Sequence, residues 1–135
     1  MASQVANFWK YYKLNLLVGK TFKIYLMAPG FLFNRATHKH YTDISASELT
    51  TANGYTSGGQ SLAGISVSQD DTNNRGIITW SNAQWTASSN GIAASGAIVH
   101  DSTDDVIAGF IDFGGTQTAL AGAPFIVANI SVEED

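Results

Sequence analysis

The first segment of the chain carries apolar residues at helical spacing. Between Gln4 and Val18 they recur three and four positions apart, with lysines between them. This period predicts an amphipathic helix, with Ser3 as its N-cap and Gly19 as its stop. Such a face either docks on a partner or packs on the chain's own sheet, and we expect the second, which is the common arrangement. The face consists of Val5, Phe8, Trp9, Tyr12, Leu16 and Leu17.

After the helix the pattern changes to alternation, which predicts a strand from Thr21 to Ala28. Pro29 and Gly30 then end the strand. A helical turn is predicted for Ile44 to Leu49, and a flexible glycine-rich loop for Asn53 to Gly59. One face of the strand consists of Phe22, Ile24, Leu26 and Ala28, and the other of Lys23, Tyr25 and Met27.

The remainder of the chain shows short apolar runs separated by turn-forming residues. A hairpin loop is predicted at Asp70 to Gly76, an acidic turn at Asp101 to Asp105, and a break at Gly114-Gly115. The pattern predicts a mainly β domain, with a β-sandwich or jelly-roll-like fold and one N-terminal α-helix. The predicted strands are Leu62 to Val67, Ile77 to Trp80, Ala97 to His100, Val106 to Phe113, which looks buried, and Pro124 to Val132.

The length fits this organisation. The chain has 135 residues, the usual size of one domain. We therefore expect a single structural domain without an internal linker, in which residues 1–19 form the helix and residues 20–135 form the β-rich body. No internal repeat or low-complexity segment interrupts this pattern.

Charged residues are scarce and unevenly placed. They make up 13% of the chain, against roughly 25% in an average domain, which favours a surface built for lasting contacts. From Met1 to Thr42 there are six basic residues and no acid, whereas from Asp43 onward eleven acids accompany one base, Arg75. The split predicts either an electrostatically polar molecule or charges that interleave when the chain folds.

Composition also excludes several classes of site. The chain has no cysteine, which excludes disulfides, thiolate metal sites and cysteine nucleophiles. No apolar tract is as long as the roughly 20 residues of a membrane-spanning helix. The segment Met1 to Asn7 lacks the pattern of a secretory signal, so we expect the chain to stay in a cytoplasm after synthesis.

The candidate catalytic and metal-binding residues form weak patterns. His38 and His40 are separated by one residue and followed by Asp43, but a third ligand at a typical spacing is missing, so no metal is predicted. The acid pairs Asp70-Asp71 and Asp104-Asp105 are expected to cap turns. The chain has neither a Gly-x-Ser-x-Gly elbow nor a phosphate-binding loop. The sequence therefore predicts no enzyme activity and no cofactor.

The aromatic residues could indicate either of two binding functions. The basic, aromatic N-terminal third resembles a nucleic-acid surface, but its aromatics fall at core spacing and the net charge is −4, so direct nucleic-acid binding is not expected. Trp80 and Trp85 would stack on sugars in a carbohydrate-binding module. Both lie in apolar strands, so we expect them to pack in the core.

Several segments match the pattern of a known family. The run LLVG at Leu16 to Gly19 precedes the strand TFKIYLM at Thr21 to Met27. HYTDISASEL at His40 to Leu49 resembles the pattern x-Tyr/Phe-x-Asp-Val-x-Ala-x-Glu, and GYTSGG at Gly54 to Gly59 resembles Gly-Tyr-Thr-x-Gly-Gly. VIAGFIDFGG at Val106 to Gly115 is similar to the pattern Leu-Ile-Gly-Tyr-Ile-Asp-Phe-Gly. Two further segments resemble a later strand pair of the family. They are WTA at Trp85 to Ala87 and GAIVHD at Gly96 to Asp101.

Together, these segments resemble small virion structural proteins of tailed phages, from about Asn7 to Val132. The resemblance implies a head or tail component without catalytic residues, and a capsid decoration (cement) protein is the favoured role. Its expected partners are the major capsid protein or other virion proteins, with the chain as a homo-oligomer, a trimer if it sits at local threefold positions of a shell. It would be located in the virion, which assembles in the host cytoplasm. A tail, neck or fibre-attachment component is the alternative within this class.

The chain departs from the family pattern at Pro29 to Thr37, where the family usually has a more polar loop. Here the loop contains Phe31-Leu32-Phe33, an apolar run that fits a contact site peculiar to this protein. The predicted subunit contacts are Phe8, Trp9 and Tyr12 on the helix, Phe31 and Phe33 in this loop, and Tyr55 in the glycine loop.

Overall fold

Alternating apolar residues and turn-forming residues give a mainly β fold in the computed structural model, which describes residues 2–135. The predicted fold class, a β-sandwich-like domain with an N-terminal helix, is confirmed. The helices are α1 (Asn7–Asn15) and α2 (Tyr41–Ile44), followed by a 3-10 turn (Ser45–Ser47). The strands are β1 (Phe22–Met27), β2 (Gln60–Ser61), β3 (Ser66–Asp70), β4 (Arg75–Thr79), β5 (Ala83–Thr86), β6 (Ile92–Asp101), β7 (Val106–Ala119), β8 (Pro124–Val127) and β9 (Ser131–Glu134).

The strands form antiparallel sheets whose apolar faces meet in one core. The largest sheet has the order β2-β1-β6-β7, and the smaller sheets are β3-β4-β9 and β5-β8. Side chains from these sheets meet in the main core cluster, as Ile24 of β1, Ile78 of β4 and Trp85 of β5 illustrate. Because neighbouring sheets bury their inner faces against each other, the layers resemble a sandwich.

β1 is buried on both faces, which explains why its residues are apolar almost without interruption. Phe22, Ile24 and Leu26 point into the main core cluster, as the alternation predicted. Tyr25 and Met27 point the other way, into a second cluster. That second cluster is closed by side chains of the segment between β1 and α2 and of the edge strand, namely Phe31, Phe33, Tyr41, Ile107 and Phe110.

The first helix, Asn7–Asn15, is shorter than the helix that the apolar spacing predicted, which extended from Gln4 to Val18. It begins after Ala6, whose backbone is extended, and Ser3 provides no cap. Its C-cap is Leu16, before the predicted stop at Gly19. A repeating apolar pattern marks which residues share a face but not where the hydrogen-bonded turns begin and end.

Two predicted strands are each divided by a residue with a positive φ. The prediction for Leu62 to Val67 holds only for its last two residues, since Gly64 has φ +69° and β3 begins at Ser66, after β2 has ended at Ser61. The prediction for Pro124 to Val132 joins β8 and β9, between which Asn129 has φ 55°. A left-handed residue turns the chain, so the next strand joins another sheet.

The break predicted at Gly114-Gly115 is wrong, because β7 continues to Ala119. Gly114 and Gly115 lie in a bulge between two register pairs, Gly96 with Asp112 and Ala94 with Gln117. Their positive φ values accommodate the extra residues in β7 without ending the strand. β7 is also the edge of its sheet and is half-exposed along much of its length, so it is not the buried strand that was predicted.

The acidic turns form where predicted, but of the two acid pairs expected to cap them only Asp70 does so. The Asp70 carboxylate accepts hydrogen bonds from the backbone N–H groups of Thr72 (3.0 Å) and Asn73 (3.2 Å) in the hairpin that joins β3 to β4. Asp101 caps the turn before β7 in the same way. Short acids satisfy turn amides that water would otherwise have to solvate.

Basic and acidic residues that are distant in sequence pair in the folded chain. Lys13 binds Glu134, and the Lys20 ammonium lies 2.9 Å from the Asp104 carboxylate. The interleaving of charges, one of the two outcomes left open by the sequence, therefore occurs at these sites. No helix among residues 2–135 combines the length and the apolar character that crossing a bilayer requires.

Candidate functional site

The inner side of α1 lies on the hairpin formed by β3 and β4. Lys10 and Leu14, one helical turn apart, are buried there, and Leu14 joins the main core cluster. Gly76 of β4 lies directly beneath, where an added Cβ would be 2.9 Å from Leu14 Cδ1 and 3.1 Å from the Lys10 carbonyl oxygen. The absence of a side chain at Gly76 thus permits the close approach of the helix.

Polar contacts fix the position of α1. The Lys10 ammonium donates to the Asn74 carbonyl at the tip of the hairpin. The Asn7 side-chain amide donates to Asp71 (3.0 Å) and to the Asn74 side chain (3.2 Å). These bonds hold the start of the helix against the hairpin, and the Lys13 contact with Glu134 holds its end. The helix therefore presents its other side at a fixed angle.

The outer side of α1 carries the aromatic residues. Phe8 is 64% exposed, Trp9 54% and Tyr12 46%. The Trp9 and Tyr12 rings stack with their centroids 6.0 Å apart. We call Phe8, Trp9 and Tyr12 the aromatic row. Other exposed apolar side chains at this end of the chain are Val5, Leu16 and Val18.

The helix packs on the chain's own sheet, as expected, but of the predicted face only Leu17 packs against the core, while Val5, Phe8, Trp9, Tyr12 and Leu16 are exposed. At about 100° of helix rotation per residue, Phe8, Trp9 and Tyr12 share one side, whereas Lys10 and Leu14 lie on another. Two contacts determine which side of the helix faces the hairpin. Leu14 fits the narrow space above Gly76, and Lys10 reaches the carbonyl acceptor of Asn74. The aromatic row is left without a partner within the described chain, residues 2–135.

The predicted contacts in the loop after β1 are only partly at the surface. Phe31 and Phe33 each lie 5.5 Å from the Phe110 ring, centroid to centroid, and belong to the second cluster. Leu32 between them is 84% exposed. In an extended loop alternate side chains point in opposite directions, so this alternation was the signal by which sequence reasoning could have selected Leu32.

Tyr55, the last predicted contact, is a core residue. It is 2% exposed, and its ring lies 5.6 Å from that of Trp85. Its hydroxyl donates to Glu48 and accepts the Leu26 N–H at 3.1 Å. The glycine loop brings it inward because Gly54, with φ +94°, passes so close to Thr86 that no Cβ would fit. Tyr55 is therefore withdrawn as a subunit contact.

A series of hydrogen-bonded polar groups, which leads from the buried Tyr25 to the exposed Asp105, was missed by the sequence reasoning. The Asp105 carboxylate accepts from His100 Nε2 at 2.8 Å, which leaves Nδ1 to accept the Tyr25 hydroxyl at 2.7 Å. Hydrogen bonds from the Tyr41 N–H and from His100 lower the pKa of Asp105. Burial raises the pKa of Tyr25. No short motif joins these residues in sequence, because β1 and β6 bring them together.

The geometry of the hydrogen-bonded series Tyr25, His100 and Asp105 suits a structural role. A Tyr-His-Asp series can relay a proton in an enzyme, where one end must reach the substrate. Here Tyr25 and His100 are both almost completely buried, with Tyr41 covering Tyr25 at 4.8 Å between ring centroids, whereas the Asp105 carboxylate lies at the surface. Asp105 also accepts the Tyr41 N–H at 3.0 Å, and the two buried groups have their hydrogen bonds satisfied, as buried polar groups must.

His38 and His40 point to different partners. His38 Nδ1 accepts the Asn34 N–H at 3.0 Å, whereas His40 Nδ1 lies 2.7 Å from the Asp105 carbonyl oxygen. Asp43 accepts the N–H groups of His40 and Lys39, which lowers its pKa. Across residues 2–135 no group of three His, Cys, Asp or Glu side chains is arranged to hold a metal ion.

Trp80 and Trp85 lie in the main core cluster, as expected from their apolar strands. Neither ring offers an exposed face to a sugar. The carbohydrate-binding alternative therefore loses the residues on which it was based.

Fold and surface together define a mainly β domain that displays a fixed row of aromatic side chains on a short helix. Comparison of the chain with known protein families, curated proteins and solved structures finds no match. The function must therefore be inferred from the residues and their geometry.

Proposed function

We propose that this chain is a virion structural protein of a tailed phage, and that it acts as a capsid decoration (cement) protein. The observation that carries the proposal is the aromatic row on α1, which is exposed and held at a fixed angle. The sequence resemblance described above supplies the biological setting. The proposed partner of the row is the major capsid protein or a neighbouring virion subunit.

Exposed aromatic side chains favour protein contact on energetic grounds. Burial of one large apolar side chain contributes about 1.5–3 kcal/mol, so the transfer of Phe8, Trp9 and Tyr12 from water to an interface is a substantial driving force. Aromatic rings also have few rotatable bonds, which limits the entropy lost on binding. Aromatics of this kind commonly form the energetic centre of an interface.

The anchoring of the helix favours binding further. Because Lys10 and Leu14 hold α1 on the hairpin, the aromatic row is already arranged before a partner arrives. Pre-organised contacts lose less conformational entropy on association. On a symmetric shell each modest contact is repeated many times, which multiplies its effect on particle stability.

Copy number in purified particles tests the role. Quantitative mass spectrometry of tailed particles and of tailless heads should find the chain in hundreds of copies, retained on the heads, as shell symmetry dictates for a decoration protein. About a dozen copies, lost with the tail, would instead assign the chain to the neck, tail or fibre attachment. Its absence from both preparations would refute a virion role.

A further inference from the structure

A long groove of about 1160 Å³ runs along one side of the sandwich. It lies where β7, the edge of the largest sheet, approaches β9, the edge of the β3-β4-β9 sheet. Gly109 of β7 marks the approach, since a Cβ there would be 3.4 Å from a methyl of Val132 in β9. The segment Gly30 to Phe33 forms part of the opposite wall.

The groove is lined by strand edges. Every residue from Ile107 to Asp112 contributes to the lining, and so does every residue from Ser131 to Glu133. A strand that presents a face contributes only alternate residues, because successive side chains point to opposite sides. Because β7 and β9 are also the outer strands of their sheets, these consecutive lining residues indicate that their free backbone edges border the groove.

The β7 edge has free hydrogen-bonding capacity. Near its start, the Ile107 N–H donates to the Lys39 carbonyl oxygen at 2.8 Å. β7 pairs with β6 on one side only, and within residues 2–135 no other strand forms backbone hydrogen bonds with its outer edge. Free edges usually carry lysine or proline that discourages pairing, whereas β7 has neither and its one charged residue is Asp112.

We propose that an extended, basic segment of a partner protein adds to the free edge of β7 as a further strand in this groove. The lining contains the carboxylates of Asp112 and Asp135, and that of Glu133, which is already paired with Arg75, against one arginine, Arg35, so a segment bearing Lys or Arg complements Asp112 and Asp135. Backbone pairing with β7 gives the affinity, and the walls, which include Phe31, Phe33 and Phe110, receive alternate side chains. This inference rests on the proposed function only for the source of the segment, a neighbouring virion subunit.

A second copy of this chain fits the groove less well. The segment before α1, Ala2 to Ala6, contains no Lys or Arg. Direct pairing of two β7 edges is opposed by the walls, since the Gly30 to Phe33 segment and β9 flank the edge on both sides. The geometry therefore favours a thin extended segment over a second sheet.

Selection from a display library of random ten-residue peptides on the immobilised chain tests the inference directly. We expect enrichment of peptides with alternating apolar and basic residues and without proline. Their binding should slow backbone hydrogen exchange at Ala108 to Asp112. Failure to enrich any peptide, or enrichment of peptides that protect other amides, would overturn the inference.

Two controls separate strand pairing from charge attraction. Asp112→Asn with Asp135→Asn keeps the side-chain acceptor for the Gly114 N–H and should weaken binding about threefold to tenfold. Asp104→Asn, outside the groove lining, should leave binding unchanged. N-methylation of alternate peptide nitrogens, on the edge-facing side, should abolish binding with the charge intact. Tight binding by the methylated peptide would refute strand addition.

The particle experiment separates this inference from the proposed function. If the chain is abundant on heads but Ala108 to Asp112 exchange as fast there as in the free protein, the inference fails and the decoration role stands. If selected peptides pair with β7 but the chain is absent from particles, the virion role fails and the strand-addition site stands.

Discussion

Glu48 shows how one residue organises a loop and a core. It is 5% exposed, and its carboxylate accepts from the hydroxyls of Tyr41 and Tyr55 and from the Gly58 N–H at 2.8 Å. It thereby ties the glycine loop to the segment that covers the second cluster. The local sequence does not indicate this role for Glu48, because its partners are identified only by the fold.

Replacement of Glu48 by alanine should destabilise the domain strongly. Two tyrosine hydroxyls and a backbone N–H would lose their acceptor in a buried place, at a cost of about 2–4 kcal/mol in the free energy of unfolding. Urea denaturation measures this loss. Asp104→Ala, which removes an exposed acid, is the control and should change stability little. Equal stability of the two variants would contradict the assigned role of Glu48.

The Asp70 carboxylate makes the hairpin sensitive to acid. Hydrogen bonds from the Asn73 side chain and N–H, with Arg75 and Thr72 adding to them, lower the pKa of Asp70. A group whose pKa is lower in the folded state stabilises the fold above its unfolded pKa of about 3.9 and loses that contribution as the pH falls through the folded value. Urea midpoints should therefore fall below about pH 4. The fall should be shallower in Asp70→Asn, and an identical pH profile would contradict this assignment.

At the scale of elements, α1 shows which features the sequence could predict. The helix, β1 and the Asp70 hairpin were predicted because spacing and turn residues are local signals. The direction of the aromatic row was not, since it depends on clearance above Gly76, which lies more than sixty residues away along the chain. The edge position of β7 was missed for the same reason, because sheet order is a property of the whole chain.

Gly76→Ala should loosen α1. The new methyl group would meet Leu14 and the Lys10 backbone, so we expect a loss of about 1–3 kcal/mol in unfolding free energy from overpacking. Gly19→Ala is the matched control, since nothing lies within 4 Å of its added Cβ. Chemical denaturation followed by tryptophan fluorescence compares them. A Gly76 variant as stable as the control would mean that the helix does not need this close approach.

At the scale of the molecule, surface and core perform separate tasks. Glu48, Tyr55, Tyr25 and His100 have their hydrogen bonds satisfied inside the domain, whereas the aromatic row and the β7 edge lie at the surface. The two surfaces are built on different elements and are proposed to serve assembly in complementary ways, by apolar burial and by backbone pairing. The proposed homo-oligomer, a trimer at local threefold positions, would repeat both surfaces on every copy.

Occupancy of phage heads by helix variants tests the central claim most directly. Heads produced with Phe8→Ser plus Trp9→Ser should carry far fewer copies than wild type by quantitative mass spectrometry, because the apolar driving force is lost. The free variant should keep wild-type stability, since both side chains are exposed. Leu120→Ser, at another exposed apolar residue, is the control and should bind normally. Normal occupancy by the doubly substituted helix would contradict the account.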